Sequence, residues 1–144
     1  IILLVFNRIV ILFIIGGLYM KRIGELYQTG DWKGEKHVPV INAPEKVKKG
    51  DVVEVNVNIG EEIPHPNTQE HHIAWIKLYF HPEGAKFPVE VGTYEFDSHG
   101  EQGVFTEPYV VTRFKAEKSG TLYATSYCNI HGLWENSKEL IVED

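Results

Sequence analysis

From about residue 37 onward, apolar and polar positions alternate in short runs. The alternation is cleanest at Val53, Val55, Val57 and Ile59 against Glu54, Asn56 and Asn58. A period of two turns one side of a segment toward a core and the other toward water, so this run predicts a half-buried strand. Lys49-Gly50 and Gly60 bound it. Residues 71–80, rich in aromatic and β-branched side chains, predict a second strand. Residues 89–96, 109–115, 122–127 and 139–142 predict further strands at short spacing. Gly84, Gly92, Gly100, Gly103, Pro108 and Ser119-Gly120 supply breaks or turns between or within them. Residues 20–30 allow one short helical turn, and no stretch carries a long helical period. Many short strands of this kind predict an all-β fold, an immunoglobulin-like β-sandwich with a short N-terminal extension.

Residues 1–20 break the pattern with an apolar run, interrupted by Asn7 and Arg8 and followed by Lys21-Arg22. Its length approaches the roughly 20 residues that span a bilayer. An arginine inside a span is costly, about 2.5–3.5 kcal/mol near its centre. No basic region precedes the run, and no small-residue cleavage site follows it, so it makes a poor signal peptide. Two expectations remain. The run is an N-terminal anchor with the domain facing the cytoplasm, or the functional chain starts at Met20 and the run is an upstream extension. The second is favoured, and both place the domain of residues 21–144 in the cytoplasm.

The length of 144 residues suits one domain with a core of its own. A formal net charge of -6 gives no basic footprint for nucleic acid. The single cysteine, Cys128, excludes an intramolecular disulfide, and it excludes a four-cysteine iron centre within one chain. Seven histidines are many for this length, and most of them cluster.

Three islands hold the donors. The first is Glu35-Lys36-His37-Val38-Pro39. The second runs from Ile63-Pro64-His65-Pro66-Asn67 to His71-His72. The third is Cys128-Asn129-Ile130-His131-Gly132. Cys128 and His131, two residues apart on a loop after a strand, can face one ion. Thiolate and imidazole suit iron, copper or zinc and serve calcium or magnesium poorly. His71 and His72 are adjacent on an expected strand, so at most one of them ligates, and periodicity leaves the choice open. A structural zinc site closes at four ligands, whereas these islands offer a surplus. A cupredoxin-type copper site would use two histidines, the cysteine and usually an axial methionine. No methionine follows His131, and the extra histidines would have no role. His81 and His99 lie among turn residues away from the islands and read as surface histidines.

Three motifs together carry a family resemblance. They are Gly30-Asp31-Trp32-Lys33-Gly34-Glu35-Lys36-His37-Val38-Pro39-Val40-Ile41, Glu62-Ile63-Pro64-His65-Pro66-Asn67 leading to Glu70-His71-His72-Ile73, and Ser126-Tyr127-Cys128-Asn129-Ile130-His131-Gly132-Leu133-Trp134-Glu135. In this order they resemble the superoxide reductases, or neelaredoxins, and the iron-binding domain of desulfoferrodoxin, from about residue 21 to the C-terminus. The resemblance implies one mononuclear non-haem iron per chain, cycling between ferrous and ferric. Its ligands would be His37, His65, His71 and His131 in an equatorial plane, with Cys128 as axial thiolate. It selects His71 over His72. It makes Glu35 the ligand of the sixth position in the oxidised state and Lys36 the cation beside the open site. The implied reaction is reduction of superoxide to hydrogen peroxide, with an external donor such as rubredoxin, in a homo-oligomer that would be a tetramer. Two departures stand out: residues 1–20 are outside the family pattern, and residues 100–108 form a short stretch. The main alternative outside the oxidoreductases is a non-catalytic metal-binding or iron-storage module. Such a module has no use for an open position flanked by Glu35 and Lys36.

Overall fold

The structure is a computed structural model, and it describes residues 20–144. Both expectations for the apolar run concern residues 1–19, which lie outside the described residues. Among the described residues no helix is long and apolar enough to cross a membrane.

Among the described residues eight strands follow a 3-10 turn at Ile23–Leu26, in the region where a short helical turn is expected, and a second 3-10 turn lies at Glu101–Gly103. They are β1 (Val40–Asn42), β2 (Lys46–Lys48), β3 (Val53–Asn58), β4 (Ile73–Pro82), β5 (Val89–Glu95), β6 (Tyr109–Phe114), β7 (Gly120–Cys128) and β8 (Gly132–Glu143). A three-stranded sheet has the order β1-β3-β6, and a five-stranded sheet has the order β2-β8-β7-β4-β5. All neighbours are antiparallel except β2 and β8. The two sheets enclose one apolar core, which is the sandwich the alternation predicts.

The core is built by parity. Val53, Val55 and Val57 of β3 point inward and are fully buried. On β7 the inward positions are Leu122, Ala124, Ser126 and Cys128, each with no exposed surface, while Tyr123 and Tyr127 face outward. Cys128 is thus the last rung of a core-facing row, and period two alone delivers its sulfur to the closed end of the sandwich.

Strand β4 needs a correction of phase. Ile76, Leu78 and Phe80 point inward, but so does Ile73, three residues before Ile76. The register against β7 shifts between Ile73 and Trp75, which marks a bulge. One extra residue there restores an inward direction to Ile73 opposite Cys128. The strand also begins at Ile73 and not at residue 71, so the two adjacent histidines precede it.

Three elements depart from the expected pattern. Strands β1 and β2 have three residues each, too few to show a period. Strand β8 begins at Gly132, well before residue 139. Its outward residues include Glu135 and Ser137, and its polar run conceals the inward Trp134 and Leu140.

After β3 the chain folds tightly into the second histidine island. Gly60 has φ +89, and a Cβ there would stand 2.6 Å from the His65 backbone nitrogen. Gly50 has φ +90 with nothing within 4 Å of its Cβ position. Gly50→Ala therefore meets only backbone strain, roughly 1–3 kcal/mol. Gly60→Ala meets that strain together with a clash against main chain. Urea unfolding of the metal-free protein should show the larger loss for Gly60→Ala; equal losses would mean that the close approach to His65 is unimportant.

Candidate metal centre

The three islands meet at one end of the sandwich. The first lies between the 3-10 turn and β1, where Asp31 accepts from Gly34 N–H (2.9 Å) and caps Lys33 N–H through Oδ1 (3.0 Å). His37 follows, and the buried Val38 and Pro39 after it anchor the segment. Asn136 Nδ2 donates to Pro39 O at 2.8 Å, which ties the island to β8. Trp134 stacks on the His37 ring at 4.9 Å between centroids and 13° between planes.

The second island turns through Thr68, whose N–H donates to His71 O (2.9 Å) and whose hydroxyl accepts from His71 N–H (3.1 Å). His71 faces the cluster. His72 turns the other way and stacks on His99 at 3.5 Å, with 8° between the planes. Of the adjacent pair, His71 lies at the cluster and His72 does not. The sequence-based view of His99 as a surface residue is wrong: it is buried at 7% exposure, held over His72 by the loop that follows β5.

The third island links to the second through Asn129. Its Oδ1 accepts from His72 N–H (2.9 Å), its Nδ2 donates to Glu70 O (2.9 Å), and its own N–H donates to His72 O (3.2 Å). Sequence reasoning did not single out Asn129. Its position inside the Cys-x-x-His spacing was the only available signal.

Donor atoms of His37, His71, Cys128 and His131 lie within 4.8 Å of one another. His131 Nδ1 stands 3.0 Å from His37 Nε2 and 3.2 Å from His71 Nε2. His65 is not within that group of four, but its ring completes a circuit. Centroid separations run 4.8 Å from His37 to His65, 4.7 Å to His71, 4.9 Å to His131 and 4.6 Å back to His37. The diagonal from His37 to His71 is longer, 6.2 Å. Four rings with near-equal sides and a longer diagonal form a square. Two nitrogens bonded at right angles to one ion at about 2.1 Å lie about 3 Å apart. The rings are not equidistant, and with Cys128 they offer five donors where a closed zinc site uses four.

The protonation pattern fits an ion as well. His65 Nδ1 lies 2.6 Å from Pro66 O, which can only accept, so that nitrogen carries the hydrogen. Its Nε2 is then a bare lone pair, and it is buried without any partner. Burial pushes the His65 imidazolium down to about 4, so the ring is neutral near pH 7. His71 is also lowered, chiefly by burial. Glu35 Oε1 sits 2.6 Å from His37 Nδ1 and accepts the His37 N–H at 3.1 Å. These bonds hold the Glu35 carboxyl below its ordinary range and present His37 Nε2 to the cluster. In this structure Glu35 is therefore the outer partner of His37 and does not point at the centre of the square.

Cys128 Sγ lies 3.8 Å from His131 Nδ1 and accepts the His131 N–H at 3.4 Å. Cys128 and His37 are buried, His71 is half-buried and His131 is exposed. The core thus closes one side of the cluster, and the other side opens to solvent. Lys36 is partly exposed beside that side. Its charge helps to lower Glu35, His65 and His71, yet among the described residues its ammonium makes no salt bridge. The structure thus gathers His37, His71, His131 and Cys128, adds His65 at the fourth corner, and sets Glu35 and Lys36 next to them.

The desulfoferrodoxin family model matches residues 29–137. The chain belongs to the superoxide reductase and desulfoferrodoxin family. A superoxide reductase from Pyrococcus horikoshii is 61% identical over 116 residues, spanning 81% of this chain and 96% of that protein. A crystal structure from Thermotoga maritima overlays with a TM-score of 0.83 at 55% identity, covering 87% of this chain and 100% of that one. The neelaredoxin of Archaeoglobus fulgidus in its reduced form gives a TM-score of 0.75 at 58% identity, covering 81% and 98%.

The buried neutral His65 has a consequence in this family member that does not depend on metal. Between about 6.5 and about 4 the unfolded chain takes up a proton that folded His65 resists. Its contribution to stability is complete above about pH 6.5 and is lost as pH falls toward 4. Urea midpoints of the metal-free protein at pH 7, 5.5 and 4.5 should drop more steeply for wild type than for His65→Gln. Parallel slopes would show that His65 is not held neutral by burial.

Proposed function

We propose that the chain is a superoxide reductase, which reduces superoxide to hydrogen peroxide at one mononuclear iron held by His37, His65, His71, His131 and Cys128. One observation carries this reading: a square of four imidazoles around a buried thiol, closed on the core side and open to solvent beside a free ammonium. Four imidazoles and a thiolate exceed what a blue copper site uses and exceed the four ligands that close a structural zinc site. The relatives named superoxide reductase agree with it. When bound, iron would supply the single electron that the reaction needs, and an external donor, a rubredoxin by resemblance, would restore it.

The residues of the chain divide the remaining work. Cys128, at the end of the core-facing row, delivers a thiolate that donates strongly to the metal. Pro66 O and the Glu35 carboxylate orient His65 and His37 and fix their tautomers. Resemblance gives Glu35 a second position as ligand to the oxidised metal, which it would reach by releasing His37 Nδ1. Lys36 draws the anionic substrate to the open side. The formal charge of -6 opposes capture at long range, but salt screens it beyond about 8 Å, so the nearby ammonium decides. The reaction takes two protons, and solvent reaches the open side to provide them. A homo-oligomer, tetrameric by resemblance, and a place in the cytoplasm complete the proposal. A non-catalytic iron store would gain nothing from an unpaired Lys36.

Protein purified from cells should hold about one iron per chain, and stoichiometric zinc or copper would overturn the assignment. Cys128→Ser should lose both the thiolate-to-iron absorption of the oxidised protein and the activity. A serine variant that kept colour and rate would remove Cys128 from the site. Lys36→Ala should keep its iron but reduce superoxide about tenfold more slowly, a barrier increase of roughly 1.4 kcal/mol. Pulse radiolysis over a range of ionic strengths tests the cause. Superimposable rate-versus-salt curves for variant and wild type would show that Lys36 does not attract the substrate.

A further inference from the structure

We infer that Gln28, an exposed residue outside all three ligand islands, is a positioning residue of the metal centre that acts through the main-chain carbonyl of His131. The inference rests on the metal-centre reading above. Gln28 Nε2 donates to His131 O at 2.7 Å and lies 3.4 Å from Leu133 O. The same His131 carbonyl accepts a second bond, from Trp134 Nε1 at 3.2 Å. No other carbonyl in the ligand loops is gripped by two side chains from opposite ends of the chain.

That carbonyl belongs to the peptide joining His131 to Gly132, at the point where the loop reverses into β8. Gly132 has φ +83, a conformation that its missing side chain permits and does not enforce. A Cβ on Gly132 would meet Gln28 Nε2 at 3.8 Å, so the amide lies close against the turn. With this carbonyl released, the loop is free to shift at the His131 Cα, and such a shift would carry the exposed His131 ring, whose Nδ1 forms one corner of the square. It would also lengthen the His131 N–H contact to Cys128 Sγ. Trp134 carries the constraint further, because the indole that shares the carbonyl also stacks on His37. From Gln28, then, one amide group holds the main chain of one ligand, His131, and reaches a second, His37, through the indole.

The side chain can be separated from the strap that carries it. Gln28 N–H donates to Leu133 O at 3.0 Å, and Glu135 N–H donates to Gln28 O at 2.8 Å, forming a parallel bridge between Gln28 and Trp134. These main-chain bonds hold residue 28 against β8 whatever side chain stands there. Substitution by an unbranched, uncharged side chain of similar length removes the two amide contacts and leaves the bridge in place. Methionine meets that description and adds no charge that would itself attract or repel a cation.

The test uses the full chain, stripped of metal and titrated with cobalt(II), whose thiolate charge-transfer band reports on Cys128. Gln28→Met should bind cobalt about tenfold more weakly, the lower end of the effect expected when a partner behind a ligand is lost. Its thiolate band should shift or lose intensity, because the His131 N–H to sulfur contact is no longer held. The urea midpoint of the metal-free variant should match wild type, since the backbone bridge survives. Affinity within twofold of wild type with a superimposable band would overturn the inference. A lowered metal-free midpoint with an unchanged band would also overturn it, by showing a purely structural role. A wild-type protein that gives no thiolate–cobalt band would defeat the metal-centre reading itself and the role of Gln28 with it.

Discussion

Neutral imidazoles that face one another across about 3 Å must have something between their lone pairs. That constraint organises this end of the molecule. His131 Nδ1 confronts both His37 Nε2 and His71 Nε2, and His65 Nε2 is buried with no donor in reach. The hydrogen of a neutral His131 tautomer can serve one such contact, and burial opposes an additional proton on His65 and His71. A single cation at the centre relieves all of them together. The fold stores this need in the metal-free protein, so metal binding and stability are expected to be coupled.

What keeps the lone pairs aimed inward is a set of contacts behind each ligand. Pro66 O holds His65, and Glu35 holds His37. Asn129 sews the His71 loop to the Cys128 loop, and Gln28 with Trp134 grips the peptide after His131. Cys128 needs the least help, because strand parity and the bulge in β4 already bring it to the buried side. The result is a closed face and an open one, with the Lys36 charge acting on Glu35, His65 and His71. The Glu35 carboxylate differs from these partners in being half-exposed, and among the described residues it bonds only to His37.

The sandwich was legible where a strand is long and half-buried, as in β3, whose three valines alternate with polar residues. In β8 only the last residues, 139–142, were legible, because Asn136 and Lys138 extend a polar run and only Trp134 and Leu140 are fully inward. The ligand islands were legible because thiolate and imidazole at short spacing have few other uses together. The choice of His71 over His72 came from the family motifs and not from periodicity, since both precede β4 and only the surroundings separate them. One meets the cluster and the other meets His99. The partners behind the ligands were invisible for a plainer reason. Gln28 and His131 lie 103 positions apart, and no local pattern connects an amide to a carbonyl at that distance.

The central claim is that this centre consumes electrons from outside and does not recycle them between two superoxide molecules. Superoxide should therefore be supplied to the iron-loaded protein with an excess of a reductant that reacts only slowly with superoxide itself, and peroxide and oxygen should be measured together. Reduction predicts one peroxide for each superoxide consumed and no oxygen release attributable to the protein. One peroxide and one oxygen for every two superoxides, unaffected by the reductant, would identify a dismutase and contradict the account.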